Sequence, residues 1–392
     1  MPLPDVSLNR QDNLLNRVAP IFDRVVGLVI TGVAVATKIA LGECKRIYST
    51  AELTALGIDG ANNPFALAEI KDYYAQAGEG KELYFVLVSD ATNMADTCDP
   101  ANNVAKKLLD YSTGRITLLF VAKKLPAGYV SAKTGGLETD VWNAITKMQA
   151  LAVQYDGLNQ PFVGFLPGIG YTKAAMNALT DVGTLNNAFV AAPVLAAMDN
   201  TGRIGMGNLA GWLVRNQAHH NIGRVASGAV VQAGFFPDGT AINEYSLAQL
   251  GAIHDKRYIL FRPVTQKAGY FYNDDPSCIS VASDFSSVSW NQVINKAKRL
   301  AYGVLVEKLN DDVDTDPATG QIAASVASDW EGDVENSIRK QMIATKQITA
   351  VKCTIIRDAA DVSSDQVKAQ LRIVRKGQAK TISVEIGFAD SV

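Results

Sequence analysis

Apolar and polar residues alternate without a break from Thr381 to Phe388. They alternate again from Val367 to Ile373, where Val367, Ala369, Leu371 and Ile373 are separated by Lys368, Gln370 and Arg372. A period of two is the signature of a strand with one buried face. Lys376, Gly377 and Gln378 lie between the two runs and supply turn residues, so the pattern predicts a terminal hairpin with an open outer edge. At the other end, residues 1–24 carry Pro2, Pro4 and Pro20, little helical periodicity, and short extended pieces such as Val6 to Leu8. Both ends read as arms, over 1–24 and 377–392.

Between the arms, short apolar runs alternate with stretches of helical period. Buried strands are predicted at Leu83 to Val88, Arg115 to Val121, Pro161 to Leu166, Phe189 to Leu195 and Tyr258 to Arg262. A buried strand and turn is predicted within Val25 to Ala36, and helices at Asn102 to Leu109, Leu137 to Tyr155 and Asn208 to His219. Strand-helix-strand order of this kind gives an α/β domain with a largely parallel sheet, assigned to 25–265.

The next unit, 266–376, has sharper signals. Trp290, Val293, Ile294, Ala297, Ala301, Val304, Leu305 and Leu309 recur at steps of three and four, which predicts a helix near twenty residues long with Lys296, Lys298 and Arg299 on its polar side. Val326, Trp330, Val334, Ile338 and Met342 write a second helix, with Ser328 and Glu331 at the spacing of a capping box. A strand at Val351 to Ile356 and the terminal hairpin complete a helix-and-sheet unit.

A chain of 392 residues exceeds the usual size of a single core, and its 48% hydrophobic content supports two. With 37 basic and 39 acidic residues and no basic block, a sequence-independent grip on nucleic acid is not expected. The longest apolar stretch, Val25 to Ala36, is interrupted by Gly27 and Gly32 and is well short of the roughly 20 residues needed to cross a bilayer, so no membrane insertion and no export leader are expected. Cys44, Cys98, Cys278 and Cys353 are far apart and form no metal or disulfide framework, which reads as reduced, buried thiols.

Motifs of chemistry fail one by one. Gly205 to Ala210 matches G-x-G-x-x-A, but no strong strand runs into it and no acid follows about 20 residues on, so it reads as a glycine-rich turn. Asp312, Asp314 and Asp316 copy the start of a calcium loop, yet Pro317 stands where glycine should be and the closing glutamate is missing. His219 and His220 are adjacent, and on a helix their rings would diverge by about 100°. Lys133-Thr134-Gly135 and Ser337 with Lys340 lack the remaining elements of a serine acyl-enzyme. No catalytic residue, cofactor or metal is expected.

The segment Tyr270-Phe-Tyr-Asn-Asp-Asp-Pro-Ser-Cys-Ile-Ser-Val-Ala-Ser-Asp-Phe-Ser-Ser-Val-Ser-Trp-Asn-Gln-Val-Ile-Asn-Lys-Ala297 resembles the shared segment of contractile tail sheath proteins. There an aromatic, asparagine-rich strand leads through a Ser-Asp-aromatic-Ser turn into a long helix. Asp312 to Ile322 resembles the acidic turn that follows, and Ile382 to Phe388 the C-terminal arm. Pro4 to Leu8 and Gly27 to Gly32 resemble the start of sheaths from Mu-like phages and related contractile injection systems. Two departures stand out: no arginine precedes Val293-Ile294, and Asn295 replaces an acid.

The resemblance implies a structural subunit, not an enzyme, that stacks as six-membered rings around an inner tube and contracts to drive that tube through an envelope. The implied partners are further copies of the chain, the inner tube protein, and baseplate and terminator proteins. Assembly would occur in the bacterial cytoplasm, into a virion tail or injection particle. It also implies that the arms, through Val6, Leu8, Ile382, Val384, Ile386 and Phe388, add strands to neighbouring subunits, and that Lys296, Lys298 and Arg299 are candidates to meet the tube. An α/β nucleotide-binding enzyme, or another self-assembling component such as a tube, baseplate or capsid protein, stays open as an alternative.

Overall fold

The computed structural model describes residues 24–102, 104–363, 366–384 and 386, so the N-terminal arm positions Val6 and Leu8, and Phe388 at the other end, lie outside the described residues. The chain opens with β1 (Val26–Thr31), β2 (Cys44–Ile47), α1 (Pro64–Ala77), β3 (Leu83–Val88), α2 (Met94–Cys98), α3 (Ala105–Tyr111) and β4 (Leu118–Ala122). It continues with a small hairpin, β5 (Lys133–Thr134) and β6 (Leu137–Glu138), then α4 (Thr139–Gly157), β7 (Val163–Phe165), β8 (Asn187–Ala191), α5 (Met206–Arg215) and α6 (Leu247–Asp255). After β9 (Phe261–Pro263), β10 (Tyr270–Tyr272) and β11 (Ser277–Cys278) come α7 (Val288–Leu305), α8 (Ala324–Ile338), β12 (Ile348–Ile356), α9 (Ala359–Val362) and β13 (Lys368–Arg375).

The fold is mixed α/β with a mostly parallel central sheet, as the alternation of apolar runs and helices predicted. Its strand order is β11-β8-β7-β4-β1-β3-β2, with β3, β1, β4, β7 and β8 parallel and the two outer strands antiparallel. The central strands β1, β3 and β4 are buried at every position, which is why they read as continuous apolar runs. One core extends from Val25 to Val288; a second, built on Val293, Ala297, Leu300, Val334, Ile338, Met342, Ile348, Val351 and Cys353, begins within α7.

β2, α1, α2 and α6 were not anticipated. The helix expected to reach His219 ends at Arg215. His219 and His220 therefore sit in a turn, half-buried, with ring centroids 4.2 Å apart, not diverging on a helix. Burial and the neighbouring His220, Lys376 and Arg24 push the His219 imidazole down to about 4, which keeps it neutral.

The G-x-G-x-x-A run starts α5, and the glycines serve helix packing. A Cβ on Gly207 would lie 1.9 Å from the Glu69 carbonyl oxygen, and one on Gly211 2.3 Å from that of Tyr73, so α1 and α5 cross with backbone against backbone. The amide at which a phosphate would sit is already occupied: Gly207 N–H donates to Glu69 Oε2 at 2.6 Å. Glu69 is fully buried, and its other oxygen accepts from Arg203 at 2.8 Å, which also reaches Asp72 at 2.7 Å.

Two outcomes are expected. Gly207→Ala, although alanine favours a helix interior by about 1 kcal/mol, lowers the unfolding free energy by roughly 1–3 kcal/mol through overpacking, read from denaturant midpoints. Burial, outweighing Arg203 and the Gly207 amide, raises the Glu69 carboxyl from 4.5 to about 7. The native state thus holds this proton more tightly than the unfolded chain, and its contribution is complete below the ordinary value and lost as pH rises through about 7. The stability difference between Glu69→Gln and the unaltered chain should therefore shift in favour of the variant from pH 5 to 8, by up to about 3 kcal/mol. A difference that does not change with pH overturns this account.

Candidate functional site

The C-terminal unit is two helices under a two-stranded sheet. β12 pairs antiparallel with β13, from Ile348 opposite Arg375 to Ile356 opposite Lys368. An isolated two-stranded sheet is marginal in water; here Val351, Cys353 and Ile355 turn inward onto α7 and α8, with Leu371 and Ile373 packed beside them. α8 ends in a π-helical turn at Arg339–Ile343 that places Met342 in the same core.

Two expectations about this unit need correction. Ser328 lies inside α8, which begins at Ala324, so no capping box forms there; Glu331 instead accepts from the backbone N–H of Ile355 at 2.8 Å. The second correction concerns the terminal hairpin. β13 pairs with β12, and Lys376 to Gln378 do not turn the chain back onto it. From Lys376 to Val384 the chain has no strand partner among the described residues, and Ile382, Val384 and Ile386 are 78%, 71% and 92% exposed.

The tail is held away from β13 by its own side chains. Gln378 Nε2 donates to Ser289 Oγ at 2.9 Å, and Lys380 Nζ pairs with Asp274. Asp274 adjoins Asp275, which is buried and accepts from Ser287 Oγ at 2.6 Å, Ser289 N at 2.9 Å and Asn221 Nδ2 at 2.7 Å. Burial and the Asp274 charge raise the Asp275 carboxyl to about 7. Burial would raise Asp274 too, but the Lys380 charge and the bonds from Lys380 and Asn221 outweigh it and hold it below its ordinary value. The Asn-Asp-Asp and Ser-Ser-Val-Ser parts of the sheath-like segment are thus the anchor at which α7 starts and the tail leaves.

The cations Lys298 and Arg299 of α7 are bonded within the chain. The polar side of this helix is packed in part against the N-terminal domain. Lys298 Nζ donates to the Asp156 carbonyl at 2.7 Å and to Asp156 Oδ1 at 2.8 Å. The Arg299 guanidinium donates to the carbonyls of Gly114, Ile116 and Pro161, just before β4 and β7, and burial lowers it to about 10, still charged at neutral pH. Lys296 is buried. Lys298 and Arg299 thus tie α7 to the N-terminal domain. At the two departures from the sheath pattern, Gln292 and Asn295 are buried, with Gln292 Nε2 and Oε1 and Asn295 Nδ2 unpartnered among the described residues. On the neighbouring turn Arg375 stacks on Trp290, 3.4 Å from the ring centroid.

The positions at which the chemistry motifs would hold a ligand are closed by the chain itself. In this strand order the ligand crevice of an α/β sheet lies between the ends of β1 and β4. There Asn63 bonds both backbone groups of Val33, at 2.7 and 3.1 Å, and Lys123 Nζ donates to the carbonyls of Asp90 and Thr92. No helix follows β1 directly to present its N-terminus. The acidic turn is closed by its own backbone, with Asp316 N–H on the Gln321 carbonyl and Ala323 N–H on that of Asp314, both at 2.8 Å. Lys133 and Thr134 form a strand of the small hairpin while Ser337 lies in α8. Among the described residues, no group of three or more His, Cys, Asp and Glu could hold a metal, and no helix is long and apolar enough to cross a membrane.

Comparison with known proteins bears on this architecture. No curated protein matches the sequence. Among solved structures, the helical sheath of the anti-feeding prophage in its contracted state superposes with a TM-score of 0.61 at 11% identity, over 100% of both chains. The contracted sheath complex of the PVC extracellular contractile injection system gives 0.59 at 12% identity, over 100% of this chain and 98% of that one. The sheath tail protein from Desulfitobacterium hafniense gives 0.50 at 10% identity, over 95% and 100%. The fold, from first sheet to terminal strands, is therefore that of contractile sheath proteins. The family model described as the DUF2586 N-terminal domain matches residues 3–276 and that of the DUF2586 C-terminal domain residues 284–391, so the chain belongs to the DUF2586 family.

Proposed function

We propose that this chain is the sheath subunit of a contractile tail or injection particle. It stacks as six-membered rings around an inner tube, joins baseplate and terminator proteins at the ends, and contracts to drive the tube through an envelope. In this reading it is a particle component assembled in the bacterial cytoplasm and has no catalytic role. The observation that carries the proposal is the superposition on sheath chains over the full length of both partners. At this identity the likeness is one of fold, and the role rests on what the tail adds to it.

That addition is an apolar row left in water. Ile382, Val384 and Ile386 alternate on one face and are exposed in the single subunit. Burying each contributes roughly 1.5–3 kcal/mol, while ordering the backbone of a strand costs roughly 1–2 kcal/mol per residue. One docked arm is therefore marginal, and the link becomes strong only when repeated around a ring and along a stack. Terminal strands donated to a neighbour's sheet give such a lattice through main-chain hydrogen bonds.

Three outcomes test the reading. The purified chain, with its inner tube protein, should form helical tubes of sixfold rings in negative-stain images; monomers or small closed oligomers alone would overturn it. Truncation after Lys380 keeps the Gln378 and Lys380 contacts, so the shortened chain should melt as the full chain does yet build no lattice. Val384→Asp should leave subunit stability within about 0.5 kcal/mol, because the site is exposed, and also block assembly, because the charge falls on the face to be buried. An unfolded truncated chain, or tubes of normal length from either variant, would show that the tail is not the link.

A further inference from the structure

Tyr129 and Val130 project from the loop between β4 and β5, and Val130, 87% exposed, is the most exposed large apolar residue before the tail among the described residues. The loop is held in shape by its own bonds. Tyr129 N–H closes a turn on the Pro126 carbonyl at 3.2 Å, with Gly128 at φ 74°, the conformation that glycine favours in a tight turn. Tyr129 Oη donates to Glu138 Oε1 at 2.7 Å, Ser131 Oγ donates to the same carboxylate, and Thr139 N–H donates to the Ala132 carbonyl at 2.7 Å. From Ala122 to Leu137 there is no acid, while Lys123, Lys124 and Lys133 are basic. Lys123 is held on the Asp90 and Thr92 carbonyls, and Lys124 and Lys133 are exposed. The result is an apolar tip between two cations, already shaped and therefore cheap to immobilise.

Its complement lies on the C-terminal unit. Past the end of α7, the following turn, α8 and β12 enclose a groove of about 680 Å³ with Leu309, Val313, Ile322, Trp330 and Ile355 in its walls, a volume in the range of sites that seat a ligand. Leu309 is 68% exposed, so the groove is open in the single subunit. Asp311 and Asp312 stand exposed at its rim, and Lys308 beside them is paired with Asp333 at 3.1 Å. From Glu307 to Glu335 nine acids stand against that one lysine, in a chain whose net charge is only −2. Apolar walls inside an acidic field select an apolar projection that carries positive charge.

We propose that this groove seats the loop 124–133 of a second copy of the chain, with Tyr129 and Val130 on Leu309 and Trp330 and with Lys124 and Lys133 against Asp311 and Asp312. The proposal rests on the sheath reading, in which copies stack, and involves neither terminal arm. Charge selects the occupant. Residues 1–24 carry three arginines and three aspartates, and 381–386 carries Glu385 and no base, so neither arm brings the positive charge that the rim selects. The subunit's own loop is elsewhere: Arg299 holds α7 on carbonyls just before β4 and β7, and the loop leaves the far end of β4, about 16 Å along the strand. Two different patches therefore meet, one from each copy. A heterologous contact of this kind propagates into a ring or a stack and does not close a dimer.

Disulfide trapping in particles assembled from the full chain tests the contact. Val130→Cys combined with Leu309→Cys should give an oxidised ladder of subunits, because every copy carries both halves of the contact. Val281→Cys, at an exposed position away from the loop, should give none with Leu309→Cys, and equal ladders from the two pairs overturn the proposal. Lys124→Glu with Lys133→Glu should lower the ladder about tenfold, as two exposed ion pairs turn repulsive, and adding Asp311→Lys with Asp312→Lys should restore it. These positions are exposed, so the variants should melt as the unaltered chain does. Particles that assemble with no ladder from Val130→Cys overturn the contact and leave the sheath reading standing. A ladder from Ile382→Cys with Leu309→Cys in its place assigns the groove to the tail and overturns the contact too, as does a ladder that the two glutamates leave unchanged. If the unaltered chain builds no particles with its tube protein, the sheath reading falls and the contact with it.

Discussion

α7 packs on one face against the second core and on another against the N-terminal domain, and much of the architecture follows from that constraint. One side is apolar and belongs to the second core through Val293, Ala297 and Leu300. The other carries charge into a packed seam, where an unpaired cation would cost several kcal/mol. Arg299 meets this demand on the carbonyls of Gly114, Ile116 and Pro161, and Lys298 on Asp156. These oxygens stand in the loops that lead into β4 and β7 and on α4, so they fix the rotation of α7 and its position along its axis. The sheet of β12 and β13 and the point where the tail leaves are carried with it. The Asp275 anchor at the start of the helix and Arg375 on Trp290 hold the same geometry from the other end.

Much of this was legible in the residue pattern, and what was not shares a cause. β3 was read to the residue, and α7 and α8 to within a few, because their apolar periods answer to a single core. α1 was missed because its buried face includes Glu69, a polar residue whose partners Arg203 and Gly207 lie far along the chain. A polar helix face looks the same whether it meets water, another protein or a second domain lined with carbonyls, so the bonds of Lys298 and Arg299 were not legible in the pattern. Period two likewise marks Lys368–Arg375 as a strand without saying whether its neighbour is the run after it or the run before it. The preceding strand, Ile348–Ile356, is the neighbour it has in the structure. The G-x-G-x-x-A run shows the same ambiguity: glycines let a backbone approach either a phosphate or another helix, and here the other helix is α1.

At three helix starts a carboxylate takes an amide that could have been left for a ligand. Glu69 takes the Gly207 amide at the start of α5, Asp140 those of Met94 and Ala95 at the start of α2, and Asp275 that of Ser289 in the first turn of α7. A helix N-terminus binds anions because its first N–H groups lack partners and its dipole favours negative charge. Filling it with an internal acid removes both the donor and the field. The chain so provisioned is poorly suited to hold a nucleotide at these helices and well suited to rigidity. At the β12 edge Glu331 and Glu335 apply the same device to a strand. The amides of Ala369, Leu371 and Ile373 stand apart from this pattern, with no such acid bonded to them among the described residues. They lie on the same unit as a tail whose apolar side chains face water, which is the combination that strand exchange between subunits requires.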